Sequence, residues 1–439
     1  MENMNTRLEQ TAIEIIKKLQ NAGFQAVFAG GCVRDKLLNH IPKDYDIATN
    51  ATPSDIKKYF NTLPLGENFG VIVVLMNNFQ FEVATFRKDG VYLDGRHPEN
   101  VTFATMEEDA NRRDFTINAL FYDPIKNKIY DYTNGINDLK NGVIRFVGDP
   151  YKRINNDKLR LLRAIRFASK YNFTFAPKTQ KSLIDSAHQI DLKKFVTPER
   201  IREELVKMFT HSYPEKALQL LYDTTLLKQI LPEVANLKGV EQSKEYHPEG
   251  DVFQHTKNVL KYIAPTTIKR LGALFHDIGK YDTFKIRKGR PTFYGHENVG
   301  AELTDKIMKR LKFSNEIRNA VVHLVKNHMK FLHASKMKTS TLKKFLRDPL
   351  YLDLLELHYA DTMGSNKNFE TYNFCVKKKI EFANTLSIKL LTGRDLLALG
   401  LPQGSLYRKL LNMVENLQLE GKLTTKKEAL EFIRNYKRG

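Results

Sequence analysis

Asp44-Tyr45-Asp46, inside PKDYDIAT, sets two carboxylates two residues apart. On an extended strand such a pair shares one face, with Cα atoms roughly 6–7 Å apart. Both can then hold Mg²⁺, and metal ions held this way lower the pKa of an attacking hydroxyl and stabilise a departing phosphate. A third acid is expected from a neighbouring strand, and Glu82, in the polar phase of FQFEVATF (79–86), qualifies. A D-x-D also arises by chance in a chain of this composition. Its place just after GGCVRD (30–35) is what lifts it. Adjacent glycines, Gly30 and Gly31, let backbone N–H groups approach a phosphate, and the helix opening at VRDKLL adds positive potential. Arg34 on its first turn is a candidate contact to a triphosphate or ribose. A plain tight turn is the competing reading of the glycine pair.

A second set of groups lies far along the chain. His276 and Asp277 stand together in LGALFHDIGKYD, His255 in DVFQHT, His296 in FYGHENVG, His328 in KNHMK and Asp361 in HYADTMG. Imidazole and carboxylate together suit a divalent metal (Mg, Mn, Fe, Ni or Zn), and such a metal activates water at neutral pH. A helix end before Gly279 accounts for the His-Asp doublet about as well. A third pattern is NDKLRLLRAIRFA (156–168). At about 100° per residue, Leu161, Leu162, Ile165 and Ala168 share one arc, while Arg160, Arg163 and Arg166 occupy another. An Arg ridge can bind phosphates and base edges, or it is simply a solvated basic face.

The elements that must position these groups follow from periodicity. Up to residue 150, short apolar runs at 26–31, 45–49, 70–76, 79–86 and 128–133 read as strands among helices. From 157 to about 235 and from about 240 to 365 the pattern is helical, as is the Lys-rich end from about 385. The fold class is therefore α+β: a mixed head followed by helical domains. The expected boundaries are 1–150 for the head, 151–235 for a helical neck, 236–370 for the histidine-bearing region and 371–439 for the tail. At 439 residues the chain is too long for one core. Seventy Lys plus Arg against fifty Asp plus Glu leave a net charge of +20, which favours a polyanionic partner. The last nineteen residues carry six Lys or Arg against two Glu, either a nucleic-acid contact or a solvated end. No run of about 18 apolar residues occurs, so no membrane partner is expected. The two cysteines, Cys32 and Cys375, are far apart and fit a reducing cytoplasm.

GGCVRD, PKDYDIATNATP, RRDFTINAL (112–120), DYTNGINDL (131–139), NDKLRLLRAIRFA and PERIREEL (198–205) stand in an order that resembles the class II tRNA CCA-adding nucleotidyltransferase and bacterial poly(A) polymerase family. The resemblance covers roughly half the chain and implies a polymerase-β-like head, a helical neck, and further domains that hold tRNA. It implies Mg²⁺ on Asp44 and Asp46 with Glu82 as third carboxylate, and CTP or ATP against Gly31, Arg34 and Arg113. It also implies that Asp157 and Arg160 read the base edge in place of a nucleic-acid template, with Arg163 and Arg166 in support. The chain departs from the family in having Asn156 before that Asp, and Asn134-Gly135 where Gly-Gly is usual. DGVYLDGRHPENV (89–101) resembles the loop of relatives that add the terminal A, which weighs against a CC-only enzyme. A poly(A) polymerase or an A-only enzyme is the nearest rival. The histidine region resembles an HD-superfamily phosphohydrolase domain. By that match His255, His276, Asp277 and Asp361 are metal ligands, His296 and His328 hold a second metal or a phosphate, and Lys280 meets phosphate. The other-class alternative is an HD phosphohydrolase with an RNA-binding head.

Overall fold

The computed structural model describes residues 4–64, 67–90, 101–382, 389–401 and 404–438. The chain forms two compact units, Met1–Pro232 and Glu233–Gly439.

The first unit opens with helix Met4–Asn21, whose buried Ala12, Ile15, Ile16 and Leu19 follow helical spacing and face the sheet. Nine strands follow: β1 (Ala26–Ala29), β2 (Ile47–Thr49), β3 (Asn61–Leu63), β4 (Val71–Met76), β5 (Phe79–Thr85), β6 (Arg87–Asp89), β7 (Val101–Phe103), β8 (Leu120–Asp123) and β9 (Lys128–Asp131). Seven of them make one sheet in the order β3-β4-β5-β2-β1-β8-β9, with β2 and β5 parallel and the other pairs antiparallel. Both faces are covered. Ala26 and Phe28 of β1 join one apolar cluster, and Val27 and Ala29 join the other, as strand alternation requires. β6 and β7 pair as a separate ribbon that stems the 89–101 segment. Residues 91–100 of that segment lie outside the described residues.

Asp44 and Asp46 are not strand residues. β2 begins at Ile47, and the two acids form its extended lead-in, tied to the sheet by Ala29 N–H donating to Asp46 O at 3.0 Å. Pro42 and two like-charged, exposed side chains deny this stretch regular pairing on both sides.

Beyond the sheet the unit is helical. Helices Pro150–Asn156, Pro177–Gln189, Pro198–Phe209 and Pro214–Asp223 each start with proline at the first helical position, where its missing N–H costs nothing. Helix Arg160–Lys170 buries Leu161, Leu162, Ile165 and Ala168, the arc expected from periodicity. A small parallel pair, β10 (Val143–Ile144) and β11 (Thr174–Phe175), lies beside it. Asn134 adopts φ 62°, so asparagine fills a left-handed position there. Gly135 is the fixed one: a Cβ would lie 2.2 Å from Thr116 O.

The second unit is built on helices Val252–Tyr262, Thr267–Phe275, His296–Arg310, Asn315–Asn327 and Tyr351–Gly364. The stretch from 240 to 365 is not wholly helical. β12 (Lys285–Arg287) and β13 (Arg290–Thr292) form a hairpin turned by Lys288 and Gly289, at φ 49° and 72°, the conformation a two-residue hairpin turn demands. Helices Gly393–Ala398, Ser405–Leu419 and Lys426–Arg438 close the chain around their own apolar cluster of leucines, Val414, Ala429 and Ile433. Among the described residues, no helix is long and apolar enough to cross a membrane.

Candidate functional sites

In the first unit, β1 runs into Gly30, at φ 67°, where a Cβ would lie 2.7 Å from Arg113 Nη1. Glycine therefore lets the chain turn into helix Gly31–Leu37 with a guanidinium packed against the turn. Arg113 ends helix Met106–Arg112, which opens with a Thr105/Glu108 capping box. Its Nε and Nη2 donate to Asp109 Oδ2 at 3.1 and 2.9 Å, its Nη1 donates to Asn118 O at 3.2 Å, and it lies over the Phe121 ring.

The parallel register sets Ile47 opposite Val83, so the next pair outward is Asp46 and Glu82. Asp44, Asp46 and Glu82 are all exposed. The Asp46 carboxyl is pushed up to about 6, first by desolvation among its neighbours and then by the charges of Asp44 and Glu82, with Arg113 opposing. Three carboxylates in this proximity suit a shared cation. Beneath them Cys32 Sγ–H donates to Ala29 O at 3.4 Å, and burial, then the Asp46 charge, push the thiol up to about 12. It is an inert packing residue.

Arg34 and the neck arginines lie differently from a free basic ridge. Arg34 is buried; it donates to Asp35 Oδ1 at 2.8–2.9 Å and to Asn118 Oδ1, and its guanidinium sits over Phe167 and Tyr171. Asp157 ends helix Pro150–Asn156, accepts Leu159 N–H at 3.0 Å and pairs with Arg200 at 3.0 Å. Arg160 is buried and donates to Arg153 O at 2.8 Å. Arg163 pairs with Asp114 Oδ2 at 2.5–2.8 Å, and Arg166 with Glu204 Oε2 at 2.7 Å. Burial alone would raise the Asp114 pKa, but Arg163, Asn118 and Arg160 hold it well below the usual carboxylate range. The solvated-face alternative fails, and so does a ridge with every donor free: helical spacing gives the side, not the acids that meet it. Asp114, Arg200 and Glu204 are the partners missed in sequence, although all three stand in RRDFTINAL or PERIREEL.

The second unit brings its six expected groups together. His255 comes from helix Val252–Tyr262, His276 and Asp277 from the end of Thr267–Phe275, His296 from the start of its helix, His328 from the end of Asn315–Asn327, and Asp361 from Tyr351–Gly364. His255 Nε2 lies 3.0 Å from Asp361 Oδ1, 3.2 Å from His276 Nε2 and 3.7 Å from Asp277 Oδ2. On the other side of Asp277, Oδ1 lies 3.4 Å from His296 Nε2 and 3.9 Å from His328 Nε2. Among the described residues, the three-ligand groups whose donor atoms lie within 4.8 Å of one another all fall in this unit. Gly279 makes the geometry possible, since a Cβ there would lie 2.2 Å from His296 O.

Every imidazole has its Nδ1 occupied: His276 at Ala273 O (2.8 Å), His296 at Phe293 O (2.8 Å), His328 at Val325 O (2.6 Å) and His255 at Glu249 Oε1 (2.7 Å). That network assigns the proton to Nδ1 and leaves Nε2 facing inward. His296 and His328 then oppose lone pair to lone pair at 3.2 Å. Burial first, and then His296 and His276, push His328 down to about 3, so no proton resolves the clash. A cation does, and the donor set fits one on each side of Asp277. His255 behaves oppositely: burial works to lower it, but Asp361 and Glu249 raise it to about 9. Lys280 Nζ lies 2.7 Å from both Asp277 Oδ2 and Gln242 Oε1. Glu249, His247 and Gln242 were not legible in the sequence reading. The available signal was an acid and a histidine in HPEG, a few residues ahead of His255. His40, His188 and His333 are exposed and lie outside this group.

Residues 26–145 match the poly A polymerase head domain, 172–238 the probable RNA and SrmB-binding site of polymerase A, and 252–361 the HD domain. The CCA-adding enzyme of Lactobacillus helveticus (strain DPC 4571) is 42% identical over 233 residues, 53% of this chain and 57% of that protein. That of Lactobacillus johnsonii (strain CNCM I-12250 / La1 / NCC 533) is 38% identical over 277 residues, 63% of this chain and 65% of that one. The matched region thus spans less than two thirds of these relatives. Among solved structures, Bacillus stearothermophilus CCA-adding enzyme in complex with CTP shares the fold with a TM-score of 0.75, at 24% identity over 98% of both chains. Thermotoga maritima CCA-adding enzyme complexed with tRNA_CCA shares it at 0.61, with 18% identity over 97% of this chain and 94% of that one.

Proposed function

We propose that the chain adds CCA to tRNA 3′ ends from CTP and ATP, and that its HD centre is a metal-dependent phosphohydrolase, a reading supported by the matches to the poly A polymerase head domain, to the RNA-binding segment of polymerase A and to the HD domain. The observation that carries the first part is the acidic group at the start of β2: Asp46 next to the Ile47–Val83 pair and so beside Glu82, Asp44 two residues before, and Arg113 across the Gly30 turn. The 3′-hydroxyl of the primer attacks the α-phosphorus of the nucleotide, and pyrophosphate leaves. Mg²⁺ held by Asp44, Asp46 and Glu82 would acidify that hydroxyl and neutralise charge on the leaving group. Gly30 and Gly31 let backbone approach the triphosphate, with Arg113 beside it. Arg34 acts from beneath, holding Asn118 and Asp35 in place. Asp157 accepts and Arg160 donates, so together they can meet the mixed donor–acceptor edge of C or A. Arg200 orients Asp157, Arg163 ties the neck helix to Asp114, and Arg166 ties it to Glu204. The finer division we adopt is head 1–150, neck 151–235, HD domain 236–370 and tail 371–439.

The second part rests on the opposed imidazoles. His255, His276, Asp277 and Asp361 would hold one divalent metal and Asp277, His296 and His328 another, which would activate water toward a phosphate ester. Lys280, beside Asp277, is the cation available to the phosphate. The relatives' names favour CCA over poly(A) synthesis. The test incubates purified protein with tRNA lacking CCA, tRNA ending in CC, and an unrelated RNA, supplying CTP and ATP separately and together. CCA synthesis on the first substrate alone supports the reading. Growth of A tails on the unrelated RNA, or addition only to the CC end, overturns it in favour of a poly(A) or A-only enzyme.

A further inference from the structure

Between Asp277 and His296 the chain leaves the helices and makes the β12–β13 hairpin. Residues 285–290 contain Lys285, Arg287, Lys288 and Arg290 and no acid; all four are exposed, and Arg290 lies 3.5 Å from the exposed Glu245. Ile286 and Tyr294 are also exposed, at 68% and 75%. β12 buries none of its side chains, and a two-stranded ribbon this short is marginal by itself. Packing therefore does not account for it. Its base is tied to the metal centre: Lys280 Nζ, 2.7 Å from Asp277 Oδ2, lies 5.3 Å from the centre of the Phe293 ring, and Phe293 packs on Phe284. At its outer end the Arg287 guanidinium lies 5.2 Å from the centre of the Tyr294 ring. His296 follows Tyr294 by two residues.

We propose that this hairpin is a docking surface for single-stranded RNA, delivering a 3′-terminal nucleotide to the HD centre. The inference rests on the phosphohydrolase reading and specifies its substrate class as an RNA strand end rather than a free nucleotide. A groove-free row of cations with an exposed ring matches a flexible polyanion whose bases stack, and each stacked base contributes sequence-independent affinity. Three residues of strand reach about 10 Å, so the phosphates contacted are those just behind the reacting end.

The experiment uses the full chain and two substrates: a pentanucleotide ending in 2′,3′-cyclic phosphate, and cytidine 2′,3′-cyclic phosphate. In the quadruple variant Lys285→Gln, Arg287→Gln, Lys288→Gln and Arg290→Gln, the KM for the pentanucleotide should rise about tenfold or more. Its kcat, and the KM for the mononucleotide, should stay within about twofold, because exposed side chains away from the ligands are replaced. The salt dependence of log KM should flatten by up to about 3, from ~0.7 per lost phosphate contact on a single strand. Tyr294→Ala should raise the same KM about tenfold, and Tyr294→Phe should restore it. Equal behaviour of both substrates in all variants overturns the inference. A photoreactive uridine placed next to the terminal nucleotide gives an arm independent of turnover. Crosslinking within 281–294 without hydrolysis under several divalent metals would keep the docking surface and remove the hydrolase reading. Hydrolysis with crosslinks confined elsewhere would do the reverse. Loss of binding to anionic lipid vesicles in the quadruple variant, with pentanucleotide KM unchanged, would assign the hairpin to a membrane surface and overturn it too.

Discussion

The head presents three exposed acids close to one another, whereas the HD centre gathers five buried side chains and the partly exposed Asp361 from five separate helices, each imidazole oriented by a second partner. On the proposed function, the first arrangement would leave coordination positions for the phosphates of a nucleotide, so that substrate would complete its metal site. The second brings its whole donor set from the protein. On that reading one centre would be assembled at each turnover and the other on folding, and the chemistry proposed for each follows from that. A polymerase must accept and release triphosphates repeatedly, while a hydrolase keeps its water-activating metal.

The largest effect that sharpens this contrast lies in the head. Asp44→Ala or Asp46→Ala should lower nucleotide addition by ~10²–10³-fold, the several kcal/mol a metal contributes at about 1.4 kcal/mol per tenfold. Because both side chains are exposed, the thermal midpoint and tRNA affinity should hardly move. Wild-type incorporation by either variant would remove the acids from the mechanism. Next, Asp277→Ala should reduce phosphate-ester hydrolysis by about 100-fold and leave CTP and ATP addition within about twofold. Collapse of nucleotide addition in a folded Asp277→Ala protein would show that the centres are not independent. Smaller is the effect on selection. Asp157→Ala or Arg160→Ala should erode discrimination against GTP and UTP by about tenfold, since a mismatched edge leaves polar groups unpaired. Arg200→Ala should follow Asp157→Ala in direction, through loss of its 3.0 Å pair. Single-nucleotide incorporation on tRNA ending before CCA measures this, and unchanged selectivity would place base reading elsewhere. The smallest effect is on stability. Saturating a chelated sample with Mn²⁺ at about 100 times its dissociation constant adds ~2.7 kcal/mol to a site that exists only when folded, about 5–10 °C in a unit of this size. The shift should appear in wild type and vanish in Asp277→Ala, yet persist in Asp46→Ala. A shift that vanishes in Asp46→Ala instead would reverse the assignment of the two kinds of site.

The same contrast governs what sequence could reveal. The groups that meet in the HD centre were legible because histidine and aspartate are rare in buried helices and each sits at a helix end or on one face. Glu82 was legible because alternation along β5 exposes it. What escaped depended on long-range encounter. Arg163 and Arg166 meet acids 49 and 38 residues away, and Arg34 is enclosed by an aromatic pair from the neck. Glu249 and His247 lie in a loop with no period to betray them. β12 and β13, three residues each, are shorter than a pattern needs, although the Lys-Gly turn marked them. Asp44 and Asp46 were assigned to a strand because alternation fits them, but β2 itself begins at Ile47 and only the Asp46 carbonyl is tied to β1.

The pair formed by Asp114 and Arg163 has an evolutionary side. Removing Arg163 takes the direct ion-pair partner from a buried carboxylate that keeps hydrogen bonds from Asn118 and the Phe115 N–H, and losing a hydrogen bond to a charged group costs roughly 1.5–3 kcal/mol, still a sizeable share of the stability of an ordinary domain. Either residue changed alone is therefore a poor intermediate, and replacement by another compatible pair requires two substitutions nearly at once. Segments separated by 49 residues are bound to vary together, so that drift in helix Arg160–Lys170 is braked by a carboxylate from the head.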